Sequence, residues 1–232
     1  MKKNIRKIFD FLITLLYFRD FVFLFFLLKR AGLTSYIENL FLYSCAKAGW
    51  GRGEICEIGS YKGTSTVSLA EGAMGRGDKV YAVDPQLNAP VKAAFQKNCK
   101  LLIDQRIIVP VFKTSIEAEM NLNIDIRLLY IDGSHRCEDV KKDIRIWKNK
   151  LIDGGIIVLH DYYDKKHPFY IDGVNRAITE ELIESQEFRV VGVVDTIFVA
   201  IKGMQSGNEF ISKFLKFNAL REKIKRHANK VL

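Results

Sequence analysis

From Gly53 onward the chain alternates short, nearly continuous apolar runs with stretches of helical periodicity, and this alternation restricts its fold more than any other feature. Runs suited to strands occur at Glu54–Ile58, Val80–Asp84, Ile107–Phe112, Ile126–Asp132, Ile156–His160, Phe188–Val194 and Thr196–Ile201. Helical stretches separate the first five. In one of them Cys137, Val140, Ile144 and Trp147 recur on one face, while Glu138, Asp139 and Lys142 point away from it. A strand that is apolar on both faces belongs in a parallel sheet covered by helices on each side. Only Asp195 links the last two runs, too little for a crossover helix, so these two must pair antiparallel. The expected fold is α/β. It is a Rossmann-like, doubly wound, seven-stranded sheet, mostly parallel with an antiparallel terminal strand, and with helices added at the N- and C-terminal ends.

Three regions follow: residues 1–50, an N-terminal helical extension; 51–204, the α/β domain; and 205–232, a basic C-terminal helix. Within the first, Phe9–Leu28 is intensely apolar, but Arg19–Asp20 splits it into two runs of eight. A span needs ~20 mostly apolar residues, and each charge near a bilayer centre costs roughly 2.5–3.5 kcal/mol. That argues against a clean transmembrane helix, and no small-residue cleavage site marks a signal peptide. Two readings stay open: a helical segment packed on the domain or across a homo-oligomer, and a monotopic anchor flanked by Lys2–Lys7 and Lys29–Arg30. Residues 33–49 read as a helix, with Ser35 and Glu38 at capping-box spacing and Ile37, Leu40, Phe41, Ser44, Cys45 and Ala48 on one face.

The formal net charge of +9 is gathered at the ends, with seven basic residues against Glu222 alone between Lys213 and Leu232. Such ends suit anionic lipid or a solvated helix face, and no nucleic-acid motif accompanies them. Cys45, Cys56, Cys99 and Cys137 form no CxxC pair and read as reduced core thiols of a cytoplasmic protein, at most at the inner face of the membrane.

In an open parallel sheet, ligands bind beyond the carboxyl ends of the strands, so the strand tips are where chemistry should appear. The first tip, Glu57-Ile58-Gly59-Ser60-Tyr61-Lys62-Gly63-Thr64-Ser65, is a Gly-x-x-x-Gly turn entering a helix. It lacks the Gly-x-Gly-x-x-Gly of a pyrophosphate site, and Glu57 ahead of it suits a cationic ligand better. Asp84 ends the second strand, where a carboxylate can accept both hydroxyls of a ribose or cap a helix. Asp132, His160 and Asp161 end the fourth and fifth strands. Buried strands that end in such groups place costly polar atoms where a site would repay their desolvation. These three can converge on one divalent cation: the carboxylates suit Mg2+ or Mn2+, and the imidazole tilts the preference towards Mn2+, Fe2+ or Zn2+. His135, three residues past Asp132 and so one helical turn on, is placed to act as a general base for a hydroxyl.

Glu57-Ile58-Gly59-Ser60-Tyr61-x-Gly63-x-Ser65, then Val83-Asp84-Pro85, then Ile131-Asp132-Gly133-Ser134-His135 with Asp139 and Asp143, then Gly154-Gly155-x-Ile157-x-x-His160-Asp161-Tyr162, occur in that order. Together they resemble the class I S-adenosylmethionine-dependent methyltransferases, and more narrowly the macrolide- and aminocoumarin-sugar O-methyltransferases, over roughly Gly53–Lys202. The resemblance implies a cofactor site at Glu57, Gly59, Ser60, Tyr61, Gly63, Thr64, Ser65, Asp84 and Asp132, with Ser115 near the adenine. It also implies Asp132 as a metal ligand in metal-dependent members and His135 as the base. Where those members carry an acidic pair after the fifth strand, this chain has His160-Asp161.

The expected activity is methyl transfer to a hydroxyl of a saccharide or related small molecule. Tyr162, Tyr163, His167, Phe169 and Tyr170 follow the fifth strand as a ring-binding or simply packed segment. The rival readings are a nicotinamide-dependent oxidoreductase and a membrane-associated binding protein without catalysis.

Overall fold

In the computed structural model the described residues are 34–48, 51–163 and 171–203, with Ile211 and Phe214. The apolar run Phe9–Leu28, the residues His167, Phe169 and Tyr170, and the basic residues from Lys216 to Lys230 lie outside them.

The first described helix, α1 (Tyr36–Ala48), begins with the reciprocal cap expected of Ser35 and Glu38. Ser35 N donates to Glu38 Oε2 at 2.7 Å, and Glu38 N donates to Ser35 Oγ at 3.3 Å. Its inward face is turned by about one residue from the expected one: Glu38, Asn39, Phe41, Leu42, Cys45 and Ala46 are buried, while Leu40 and Ser44 are only partly so. Two polar residues face inward because partners await them. Asn39 accepts a 2.9 Å bond from Ser68 Oγ, and Glu38 meets groups described below.

Strands β1 (Glu54–Ile58), β2 (Val80–Val83), β3 (Ile108–Val111), β4 (Ile126–Ile131) and β5 (Leu151–Leu159) alternate with helices α2 (Thr64–Ala73), α3 (Ala89–Asp104), α4 (Ser115–Asn121) and α5 (Cys137–Trp147). After β5 come α6 (Asp172–Ile178), a π-helical turn at Thr179–Ile183, and the hairpin β6 (Phe188–Val194) and β7 (Ile197–Lys202). The sheet order is β3-β2-β1-β4-β5-β7-β6, parallel except that β7 runs against both neighbours. This is the expected seven-stranded doubly wound sheet. β5 starts five residues earlier than expected. The strand includes Gly154-Gly155, which it carries through a register shift against β4.

Alternate residues of each strand enter two separate cores. Ile55, Val80, Leu128, Ile156 and Val199 pack under α1, α2 and α3, whereas Cys56, Val83, Leu129, Ile157 and Ala200 pack under α4, α5 and α6. Near the C-terminal end Phe214 closes the first core, its ring edge-on to Phe41 at 5.9 Å. One member of β4 is not apolar: Arg127 is wholly buried, paired with Asp78 at 2.8 Å and donating to the Ala46 carbonyl at 2.7 Å. It ties α1 to the sheet and satisfies the open end of that helix. All four cysteines are free, and Cys45, Cys56 and Cys99 are buried. Among the described residues no helix is long and apolar enough to cross a membrane.

α1 and α2 meet at Gly72, where a methyl group would lie 2.4 Å from the Tyr43 carbonyl oxygen and 2.7 Å from Ala46 Cβ. Alanine in a helix ordinarily stabilises by about 1 kcal/mol over glycine. Here the sign should reverse: Gly72→Ala is expected to lower the unfolding free energy by ~1–3 kcal/mol, read from urea denaturation, because the helices must move apart.

Candidate functional site

One cavity opens where the crossovers on β1 and β4 diverge, and residues from the tips of β1, β2, β4 and β5 line it together with Thr34, just ahead of α1. A sheet of this kind binds ligands at such a point, because the loops from adjacent strands turn to opposite faces there.

The turn after β1 shapes one side. Gly59 has φ +91°, and a Cβ there would stand 2.2 Å from the Asp132 carbonyl oxygen, so glycine is required where the β1 and β4 tips touch. Gly63, at φ +83°, precedes α2 without any side-chain cap. Ser60 and Thr64 line the cavity, and their buried hydroxyls have no protein partner. Tyr61, Ser65 and Asp84 line it too. The two readings of Asp84 separate here. Asn88 caps α3, accepting from Val91 N at 3.1 Å, so Asp84 is not that cap. Its Oδ2 accepts Tyr61 N at 2.9 Å and its Oδ1 accepts Gln86 N at 2.8 Å. Two backbone amides thus aim a carboxylate at the cavity and fasten the β2 tip to the glycine turn.

Glu57 sits at the end of β1, wholly buried, with Thr66 donating its hydroxyl to Oε2. Burial pushes its carboxyl up to about 8; bonds from Ser65 and Thr66 oppose this, and the charges of Asp132 and Asp84 add to it. Ser115 is placed differently from the others. It opens α4 beside the Thr114–Glu117 capping box, and its hydroxyl accepts from Trp147 Nε1 at 2.8 Å, away from the residues that line the cavity.

The other side is a cluster of acids and imidazoles. Asp132, His135, His160 and Asp161 all line the cavity. His160 Nδ1 stands 3.3 Å from Asp132 Oδ1 and 3.2 Å from Asp161 Oδ1, and its Nε2 stands 3.3 Å from Glu38 Oε2. Burial alone would lower the imidazole, but Asp132, Asp161 and Glu38 hold it up to about 12. Burial likewise works to raise Glu38 and Asp161; His160 with Thr196 and Ser35 outweighs it in Glu38, taking it down to about 2, and His160 with His135 and Tyr163 outweighs it in Asp161. His135 lies on a turn ahead of α5 rather than one helical turn beyond Asp132, and its Nε2 is 2.8 Å from Asp161 Oδ2.

The set Asp132, His160 and Asp161 therefore shares one site, but His160 turns both nitrogens to carboxylates. The ligand atoms that lie within 4.8 Å of one another belong to Asp132, His135 and Asp161. Several participants carry no sequence signal. Tyr130 reads as core, yet its hydroxyl donates to Asp132 Oδ2 at 2.9 Å. Asn175 holds the backbone of Tyr163 through a 2.7 Å bond to its carbonyl. Tyr162, expected in a ring-binding or packed segment, packs on Phe198 with ring centroids 5.2 Å apart.

Residues 56–162 match the family model described as a methyltransferase domain. Solved structures share the fold at low identity. Cofactor-bound Rv0187 from MTB is 17% identical over 80% of this chain and 89% of that one, with a TM-score of 0.61. The O-methyltransferase TomG from Streptomyces achromogenes, involved in tomaymycin synthesis and solved with S-adenosylmethionine, is 15% identical over 73% and 81%, with a TM-score of 0.59. An O-methyltransferase from Bacillus cereus with S-adenosylhomocysteine is 15% identical over 73% and 82%, with a TM-score of 0.57. These neighbours share the Rossmann-like, seven-stranded fold described above.

Because Glu57 takes up its proton more readily folded than unfolded, its neutral form stabilises the fold fully below its ordinary value of 4.5, and this contribution is lost as pH rises towards about 8. Without ligand, the stability of the native protein relative to Glu57→Gln should fall across that window, by up to about 1.4 kcal/mol per pH unit, and level off above it. Urea titrations of both proteins from pH 5 to pH 9 (about this window) would show it; parallel curves would contradict it.

Proposed function

We propose that the protein is an S-adenosylmethionine-dependent O-methyltransferase acting on a hydroxyl of a saccharide or related small molecule. The observation that carries the reading is a single cavity with two unlike halves. The turn Gly59–Ser65 and Asp84 form one, with Glu57 buried behind it, and the acid–imidazole cluster forms the other.

The first half fits a cationic nucleoside. Ser60 and Thr64 offer buried hydroxyls with no protein partner, and the start of α2 is uncapped by any side chain. Asp84 is held rigidly and keeps acceptor capacity on both oxygens after the two amides. Glu57, Gly59, Ser60, Tyr61, Gly63, Thr64, Ser65, Asp84 and Asp132 would hold the cofactor, and Ser115 would reach the adenine end only through its backbone. When bound, the cofactor supplies an electrophilic sulfonium methyl. The chain then has to orient an acceptor oxygen in line with it and remove its proton.

His135 suits that second task. Its Nε2 faces Asp161, which favours the tautomer with the proton on Nε2 and leaves Nδ1 to accept one from the hydroxyl. Asp161 then stabilises the imidazolium, as an orienting carboxylate does beside any histidine base. A second reading rests on the Asp132, His135 and Asp161 donor atoms: these would hold Mg2+ or Mn2+, which would make a bound hydroxyl more acidic. In that case His135 is a ligand and not a base.

Calorimetry with S-adenosylmethionine, S-adenosylhomocysteine and NAD in turn tests the cofactor; binding of NAD alone would sink the proposal. Asp84→Ala is expected to weaken S-adenosylhomocysteine by roughly tenfold or more, the worth of a charged hydrogen bond. With labelled cofactor and a panel of vicinal-diol sugars and catechols, His135→Ala should lose on the order of 10²–10⁴-fold in transfer while keeping the same affinity for S-adenosylhomocysteine. Transfer that survives EDTA supports the base; transfer abolished by EDTA and restored by Mn2+ supports the metal.

A further inference from the structure

The cluster at the tip of β5 is held from behind by a residue that belongs to none of the strand-tip motifs. Glu38 lies on α1 and is 2% exposed. Its Oε2 takes the Ser35 amide at 2.7 Å and stands 3.3 Å from His160 Nε2. Its Oε1 takes the Thr196 amide at 3.2 Å and also the Thr196 hydroxyl. The helix cap needs only the first of these contacts. Capping partners ordinarily sit in water and are worth about 1 kcal/mol, less than it costs to bury a carboxylate without further partners. The other contacts all come from the carboxyl end of β5 and from the β6–β7 turn, on the cavity side of the sheet, and Thr34 beside α1 lines that cavity.

The consequence lies on the far side of the imidazole. His160 Nδ1 stands between Asp132 Oδ1 and Asp161 Oδ1, so the ring is the only bridge between those two carboxylates among the described contacts. The 3.3 Å contact of Nε2 with Glu38 is an ion-pair approach and not an aligned hydrogen bond, yet a ring with a carboxylate against each nitrogen has less freedom about its ring torsion than one held at Nδ1 alone. Without the rear contact the two aspartates lose a fixed donor between them and separate by like-charge repulsion. Asp161 in turn carries His135.

We propose that Glu38 is a positioning residue: through His160 it sets the spacing of Asp132 and Asp161, so that α1 completes the acceptor half of the site. The kinetic part of its test rests on the methyl-transfer reading; the spectroscopic part does not.

Three variants separate the roles. Glu38→Gln keeps the length and an acceptor oxygen. Glu38→Leu removes both. Glu38→Asp can still cap Ser35 but withdraws from the ring, and it serves if the leucine variant does not fold. In protein labelled with 15N-histidine, His160 should show a slowly exchanging imidazole N–H at Nε2, shielded against the Glu38 carboxylate and assigned by its loss in His160→Asn. The signal is expected to persist in Glu38→Gln and vanish in Glu38→Leu and Glu38→Asp, with S-adenosylhomocysteine affinity unchanged within about twofold, since RT ln 2 is small beside any lost contact. For whichever acceptor the native protein methylates, kcat should fall on the order of 10²-fold in the leucine and aspartate variants without a change in KM for the cofactor, and recover in part in the glutamine variant. A persistent His160 signal with unchanged kcat in Glu38→Asp would reduce Glu38 to a helix cap and overturn the proposal, as would a parallel loss of cofactor affinity in all variants. If the native protein methylates nothing in the panel, the proposed reaction fails, and the His160 signal alone decides the role of Glu38.

Discussion

The carboxyl ends of β1 and β4 touch without a side chain between them. Gly59 can lie against the Asp132 carbonyl only because it has no Cβ, and Asp132 N donates back to the Ile58 carbonyl at 2.8 Å. Everything at the site is measured from that contact. It brings the turn that leads into α2 and the turn that leads into α5 to within one cavity, although their crossovers leave on opposite faces of the sheet. It also fixes Asp132 in a place where Tyr130 from the same strand and His160 from the next can both reach it.

The two halves of the cavity are organised by different physics. Around Asp84 the backbone does the ordering: amides of Tyr61 and Gln86 fix a carboxylate, and both residues adopt positive φ to present them. Such geometry is rigid. Around His160 the ordering is ionic, with three carboxylates about one imidazole in a place poor in water. Buried ion clusters are specific but costly unless each member is matched. Here the match includes hydroxyls and amides from Ser35, Thr196 and Tyr130 as well as the charges.

Much of the fold is legible in the sequence because the strands are apolar on both faces, and the hairpin follows from the single residue that joins its two runs. β5 is the exception. Its Gly154-Gly155 has the local chemistry of a turn, and only pairing with β4 makes it strand. The tips of β1, β2, β4 and β5 are legible for the same reason as the strands: a polar residue at the end of an apolar run stands out. What escapes is whatever has an ordinary local explanation. Ser35 and Glu38 form a cap, and the cap is real, but nothing in the spacing says that the same carboxylate reaches across to β5. Tyr130 hides among core residues, and Ser115, placed near the cofactor by resemblance, spends its hydroxyl on Trp147.

The hairpin has a temporal side as well. β7 is the last of the described strands in chain order, yet it lies between β5 and β6, and Thr196 in the turn that leads into it bonds to Glu38 across a sequence separation of 158. While a ribosome is still making that stretch, β5 is an uncovered edge, and His160 and Asp161 at its tip lack both the strand beside them and the turn that holds Glu38. Contacts of such long separation close late and slowly. The nascent chain therefore passes through an interval in which an apolar edge strand is bare, the condition in which half-made α/β domains stick to one another or need a chaperone. The acid–imidazole cluster is complete only once the few residues that seal the sheet have been made.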